Sequence, residues 1–345
     1  GAEWFFRAKL LVHAAWEDEY WKFRPYPGSG EPPRAAWPCG DGSLGLLEGF
    51  NTVIRADGTQ PAMWYRRTDC NGTAGGALVA AGAALREPRY VQAGARVCDF
   101  LVFRSRLSGG IHADTRHPAF GLLGWHDRDK YHGDANGCDI HYGDDNACAL
   151  LGLLAAAALI RTDRWDRRIL QGILANFRTT GRFGFRHANL TTQRLVEHGW
   201  RHFFNGDPIQ YEPHFQAYPW ACYLWAHRRT GWKELLARTE TAIRMTLEAY
   251  PDNWKWTNGI QQERARMLLP LAWLVRLEDT AVRRGWLRRI ADDLLASQDA
   301  SGAIREELGH PATGVYGPPK SNGEYGKGEA PLIQENGDPV GDLLY

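Results

Sequence analysis

The chain has 345 residues, 44% hydrophobic and 23% charged, enough to bury a large core. Its 41 Lys and Arg face 40 Asp and Glu, for a net charge of +1. That balance argues against a nucleic-acid partner and against an anionic membrane surface. No secretory leader, transit peptide or membrane-spanning run stands out, which tips the expectation toward the cytoplasm.

Helical periodicity dominates from the start. Residues 3–22 read as one amphipathic helix rich in Trp. Residues 73–87 and 90–106 form a helix pair broken at Pro88, and 144–161 and 164–178 a second, split at Thr162 and Asp163. Residues 213–229 and 232–250 make a third pair, split at Gly231. The fourth, 259–277 and 280–298, is split near Asp279 and Thr280, and a further helix starts near Asp338. Longer loops between the pairs carry glycine and aromatics: GLLGW at 121–125, GRFGFR at 181–186, NWKWTNG at 253–259, SGAIREE at 301–307. They suit short strands or loops at a rim.

The first helix of each pair is the more apolar. DDNACALLGLLAAAAL has small residues all round, whereas VRRGWLRRIADDLL is amphipathic. A single hairpin cannot bury its apolar face, but a closed ring of hairpins can. The expected fold is therefore all-α, an (α/α)6 toroid over residues 1–345 as one domain. Both ends fall inside helical patterns, so the domain is expected to belong to a longer polypeptide.

Six cysteines are scattered without zinc spacing. Cys98, Cys148 and Cys222 fall in helices as small apolar fillers, while Cys39, Cys70 and Cys138 fall in loops, where a disulfide is possible. The 15 Trp, 13 Tyr and 13 Phe fill the core or offer flat faces to sugar rings. No metal or cofactor is expected. HGDANGCDIHYGDD lacks the register of a calcium loop, and GDGSLG lacks the strand–helix setting of a phosphate loop. The Arg pairs at 66–67, 167–168, 228–229 and 288–289 read as solvated helix faces.

Chemistry concentrates where the first helices begin. RRTDCNGTAGG, HYGDDNA, QYEPHFQAY, WTNGIQQERAR and QENGDPVGD each lead an acid into such a helix. In a toroid these starts share one mouth, lined by Asp69, Asp144, Asp145, Glu212, His214, Glu263, Glu335 and Asp338, with Asp41 added from the 37–50 loop. Singly, each acid is explained as a cap or as a partner of the helix dipole. Asp145 stands apart because Asp144 already fills the cap. Glu263 shares a stripe with Ile260, Met267, Leu271 and Leu274, with Arg264 and Arg266 on other faces. Such a carboxyl is either salt-bridged or raised in pKa.

The hairpins, together with YGDDNACALLGLLAAAAL, NGIQQERARMLLPLAWL and QENGDPVGDLLY, resemble the six-hairpin glycosidase superfamily, more narrowly an uncharacterised bacterial (α/α)6-barrel group. The resemblance implies a carbohydrate cleft at the starts of the first helices. It also implies glycoside hydrolases working through two carboxyls, with polysaccharide lyases and sugar epimerases on similar toroids.

The leading expectation is hydrolysis of a glycosidic bond in an oligosaccharide or polysaccharide. Glu263 would be the acid, Asp144 or Asp145 the base, and Glu335 the reserve. Trp125, Trp256 and Tyr211 would be sugar platforms. Asp41, Asp69, Glu212, His214, Gln261, Arg264 and Asp338 would contact substrate. One alternative is lyase or epimerase chemistry, with His214 or Tyr211 as base and Arg264 on a uronate. Another is a non-catalytic glycan-binding or structural module. The oligomeric state is left open.

Overall fold

The computed structural model describes residues 1–22, 32–49, 56–129, 136–257, 259–314 and 337. They fall into two compact units. One takes in Gly1–Asn176 and Asn189–Gly199, the other Phe177–Ala188 and the described residues from Trp200 onward.

The first unit opens with α1 (Ala2–Arg7) and α2 (Glu17–Lys22) instead of the single expected helix over 3–22. Leu10, Leu11 and Val12 are all buried, and three successive apolar residues cannot share one helix face. The chain leaves the helix at Lys9, with φ +53°, and runs extended. There it pairs with the 45–47 segment: Val12 N–H donates to the Gly45 carbonyl at 3.0 Å, and Leu47 N–H to that of Leu10 at 2.8 Å.

Then come α3 (Thr68–Leu85), α4 (Pro88–Asp99), α5 (Gly143–Ile160) and α6 (Asp166–Phe177), the last reaching the unit's edge. Two short antiparallel strands precede α5 and α7: β1 (Ile140–Tyr142) pairs with β2 (Asn189–Thr191), with His141 opposite Leu190. The helix α7 (Thr192–Asn205) was not expected; it is amphipathic but broken at Gly199, φ +70°, so each half is only about two turns long. The helix expected over 90–106 is α-helical only to Asp99, closing in a wider turn over Phe100–Arg104.

Small residues set the helix spacing in this unit. A Cβ on Gly76 would lie 2.7 Å from the Gly152 carbonyl oxygen, and one on Gly72 would collide with Ala149, so α3 and α5 meet almost backbone to backbone. A Cβ on Gly75 would lie 2.7 Å from Cys98 Sγ on α4. Among the described residues α5 is the helix long and apolar enough to cross a membrane, yet 56% of it is buried. Its seam against α3 accounts for that composition.

The second unit holds α8 (Pro213–Thr230), α9 (Lys233–Glu248), α10 (Ile260–Leu277) and α11 (Ala281–Leu295). Here α8 packs on α9 and α10, and α10 on α11. The first helices, α8 and α10, are buried over most of their length. The helix expected from Asp338 lies outside the described residues. All six cysteines are free thiols, and Cys70 lies in α3 rather than in a loop.

The glycine seam makes a specific prediction. Gly72→Ala should lower stability by about 1–3 kcal/mol, because the new methyl meets backbone. Gly285→Ala, in α11 with open space around its would-be Cβ, should raise stability by about 0.5–1 kcal/mol. Urea unfolding of both variants checks the pair.

Candidate active site at the helix N-termini

Four helices place a polar side chain at their fourth residue, and each holds a loop. On α3, Asn71 Oδ1 accepts Leu46 N–H at 3.0 Å, and its Nδ2 donates to Leu46 O at 3.2 Å. On α5, Asn146 treats Leu123 the same way, at 2.8 and 3.0 Å. On α8, Gln216 accepts Arg186 N–H at 3.1 Å and donates to its carbonyl at 2.7 Å. An amide both donates and accepts, so it pairs with a peptide group as another peptide would. On α10 the fourth residue is Glu263, which can only accept once ionised. Its two oxygens take Thr257 N–H at 2.9 Å and His214 N–H at 2.5 Å.

The pinned loops turn on glycines. Gly121 and Gly184 have φ +86° and +85°, and a Cβ on Gly121 would lie 2.6 Å from the Gln171 carbonyl oxygen. This combination of left-handed backbone and no room leaves glycine as the residue that fits.

Glu263 is fully buried, and burial raises its carboxyl to about 8 against the lowering pull of the Thr257 N–H and of Arg266. Arg266 therefore does act on it, contrary to the expectation that it faces elsewhere. The guanidinium of Arg266 also lies 5.0 Å over the Tyr218 ring. Glu212, 2% exposed, is the neighbouring carboxyl that adds to the rise. It accepts from Gln210 Nε2 at 2.5 Å and from Thr257 Oγ1 at 3.3 Å. Thr257 thus touches both acids, Glu263 through its backbone and Glu212 through its hydroxyl.

Glu306 sits against Gly259, where a Cβ would collide with its carboxyl. It accepts Gln261 N–H at 3.0 Å, capping α10 from a distant loop, and burial raises it to about 7. Gly337, next but one to Glu335, donates its N–H to the Glu306 carbonyl at 2.9 Å.

In the first unit a second polar cluster surrounds Arg67, the residue before α3. Its guanidinium meets Asp145 at 2.7 and 3.3 Å, Asp69 at 3.0 Å and Glu48 at 3.4 Å. All three acids are buried. Burial raises Glu48 to about 7 and Asp145 well above the usual carboxylate range, with Arg67 opposing both. Trp125, 8% exposed, lies with its ring 5.9 Å from that guanidinium and edge-on to Tyr142.

Several expectations are corrected here. Tyr142, not Asp144, is the N-cap of α5, and Asp144 and Asp145 are its second and third residues. Asp145 turns to Arg67, and both aspartates are buried in the first unit. Asp69 likewise follows the cap Arg67 on α3. Asp41 pairs with Arg96 of α4 at 2.7 Å and stands apart from the Arg67 cluster. Trp256 is 1% exposed, its ring under Gly309 and Gly314, so it has no face for a sugar. Arg264 is committed to Glu307 at 2.8 Å and to Tyr250 Oη at 2.7 Å. Gln261 is fully buried and bonds Ser297 Oγ at 2.5 Å. Arg66, Arg67 and Arg168 are buried rather than solvated. Tyr211 is half-buried, edge-on to Phe185. Glu335 and Asp338 lie outside the described residues.

Arg67, Glu48, Thr257 and Glu306 escaped the sequence reading. Arg67 meets Asp145, Thr257 meets Glu212 and Glu306 meets Gln261 far along the chain, and no local pattern marks those pairings. The amides at the fourth helical residue were legible in principle, because TDCN, GDDN, PHFQ and IQQE align once the helix starts are known. Among the described residues no group of three or more His, Cys, Asp or Glu is arranged to hold a metal ion.

No protein-family profile matches the chain, and no curated protein matches it. Its fold recurs in solved structures. It is similar to the cellobiose 2-epimerase of Bacillus thermoamylovorans, with TM-score 0.52 and 11% identity over 77% of this chain and 69% of that one. It is also similar to the cellobiose 2-epimerase of Spirochaeta thermophila, with TM-score 0.51 and 14% identity over 78% of this chain and 67% of that one. The fold class is the all-α (α/α)6 barrel.

The raised Glu263 carboxyl makes stability depend on pH in a calculable direction. Its proton is held in the folded chain up to about 8 but lost from the unfolded chain above about 4.5. Its contribution is therefore full below pH 4.5 and is lost as pH rises through 8. Glu263→Gln does not titrate. The urea midpoint of the native chain minus that of Glu263→Gln should be largest below pH 4.5 and shrink toward pH 8. A difference that stays flat with pH contradicts the assignment.

Proposed function

We propose that this chain is a carbohydrate-active enzyme that hydrolyses a glycosidic bond, with Glu263 as the proton donor and Glu212 as the second carboxyl. One observation carries the reading. At the helix position where three others place an amide, α10 places a buried carboxyl raised to about 8, hence protonated at neutral pH. Glu212, linked to it through Thr257, supplies the partner such chemistry requires.

In this scheme Glu263 gives its proton to the leaving oxygen. Glu212 either takes a proton from the attacking water or attacks the anomeric carbon itself. The base role passes from Asp144 and Asp145 to Glu212, because Arg67 already holds Asp145 through two nitrogens. Asp145 and Asp69 would instead fix Arg67 at the start of α3. Substrate entry must uncover both working carboxyls, which are 0% and 2% exposed.

A second reading has its own support. The two structures compared above are cellobiose 2-epimerases, and His214 sits beside Glu263 at the start of α8. Proton removal and return at a sugar carbon would then replace bond cleavage, with His214 as the base.

Product analysis separates the two. Incubation with β-linked and α-linked disaccharides in deuterated water should release monosaccharides and leave C2 unlabelled. Intact disaccharide carrying deuterium at C2 would establish the epimerase reading. Glu263→Gln and Glu212→Gln should each lower kcat about 10²-fold or more with the circular dichroism unchanged. Full turnover in Glu263→Gln would make this carboxyl an anchor for α8 and nothing more.

A further inference from the structure

The first unit contains a cavity of about 310 Å³ distinct from the carboxyls assigned above. Its walls are Trp4 and Phe5 of α1, Leu46 and Leu47 of the pinned segment, and Ala74 and Ala77 of α3. Thr73 and Ala77 are exposed and mark its open side. An apolar cavity of roughly 150 Å³ is enough to take up one benzene ring. This one has about twice that volume and lies within the range of small-molecule sites.

Two lining residues carry polar atoms that are buried and unsatisfied among the described residues. They are the indole N–H of Trp4, a donor, and Glu48 Oε2, an acceptor. Glu48 is 1% exposed, and its other oxygen meets Arg67. A buried donor or acceptor left without a partner is destabilising, so a ligand that supplies the missing partner gains by doing so.

The lining also sets the ligand's charge. An anion would face Glu48 with Asp69 and Asp145 close behind, all three gathered on Arg67. A cation would have to leave water for leucine and aromatic walls. A neutral molecule meets neither penalty. Its hydroxyl can accept from the Trp4 indole or donate to Glu48 Oε2, while its body fills the apolar volume.

We propose that this cavity is a binding site for a neutral, two-ring-sized apolar molecule bearing a hydroxyl group. Nothing in it depends on the chemistry at Glu263 and Glu212, which lie in the other unit.

The test is titration calorimetry of the full chain with 2-naphthol and with naphthalene. Both should bind saturably at one site, 2-naphthol about 5- to 10-fold tighter. Trp4→Phe keeps the ring and removes the donor, so it should erase most of that preference while naphthalene still binds. Ala77→Trp narrows the cavity from its exposed side and should abolish binding of both, with helicity unchanged. Absence of saturable binding to the native chain overturns the proposal. So does undiminished binding in Ala77→Trp, or a 2-naphthol preference that survives in Trp4→Phe.

Discussion

Everything at the candidate site depends on one side-chain position, the fourth residue of a buried helix. There the helix has just begun, and the nearby loop backbone has groups that no helix or sheet satisfies. Asn71, Asn146 and Gln216 solve this with an amide, which donates to a carbonyl and accepts from an N–H of the same residue. The solution is local and repeats. Each helix start carries its own loop fastener, so loops with little regular structure still have fixed places.

Glu263 departs from that solution, and the departure gives the position its chemistry. A carboxyl can accept from two N–H groups, as it does from Thr257 and His214, but ionised it has no proton to donate. Burial then opposes its ionisation, and the result is an acid with affinity for its proton near neutral pH. The Arg67 cluster shows the other outcome of burying acids. Three carboxyls share one guanidinium, which holds them in place and leaves Asp145 committed to it. Both arrangements start from acids at helix beginnings. What separates them is the direct partner: a guanidinium is bonded to Asp145, whereas two backbone N–H groups bond Glu263 and Arg266 acts on it through its charge alone.

The helices were the legible part of the chain, because burial of small residues and amphipathic partners leave a periodic trace. Gly143–Ile160 and Pro213–Thr230 lie within a residue or two of their expected bounds. The trace failed where tertiary pairing overrides period. Leu10, Leu11 and Val12 continue a helical pattern yet run extended, because all three are buried along the 45–47 segment. At α7 Leu195, Val196, Trp200, Phe203 and Phe204 do recur at helical spacing, but Gly199 interrupts the run, so no helix was expected there. At the site, Glu263 was visible as a carboxyl on an apolar stripe, which is a local property. The roles of Arg67, Thr257 and Glu306 were not visible, because their partners are set by the fold. Asp144 and Asp145 looked like a cap and a spare acid. Their place depends on a helix start one residue earlier than any acid, at Gly143 behind Tyr142.

Proton donation by Glu263 requires that it keep its proton at neutral pH. Isotope-edited ¹³C NMR of glutamate carboxyls, comparing the native chain with Glu263→Gln to assign the resonance, measures this directly. That one signal should titrate with a midpoint near 8. A midpoint near the ordinary value of 4.5 would show the carboxyl ionised in place, serving as an N-terminal anchor for α8, and would contradict its assignment as the proton donor.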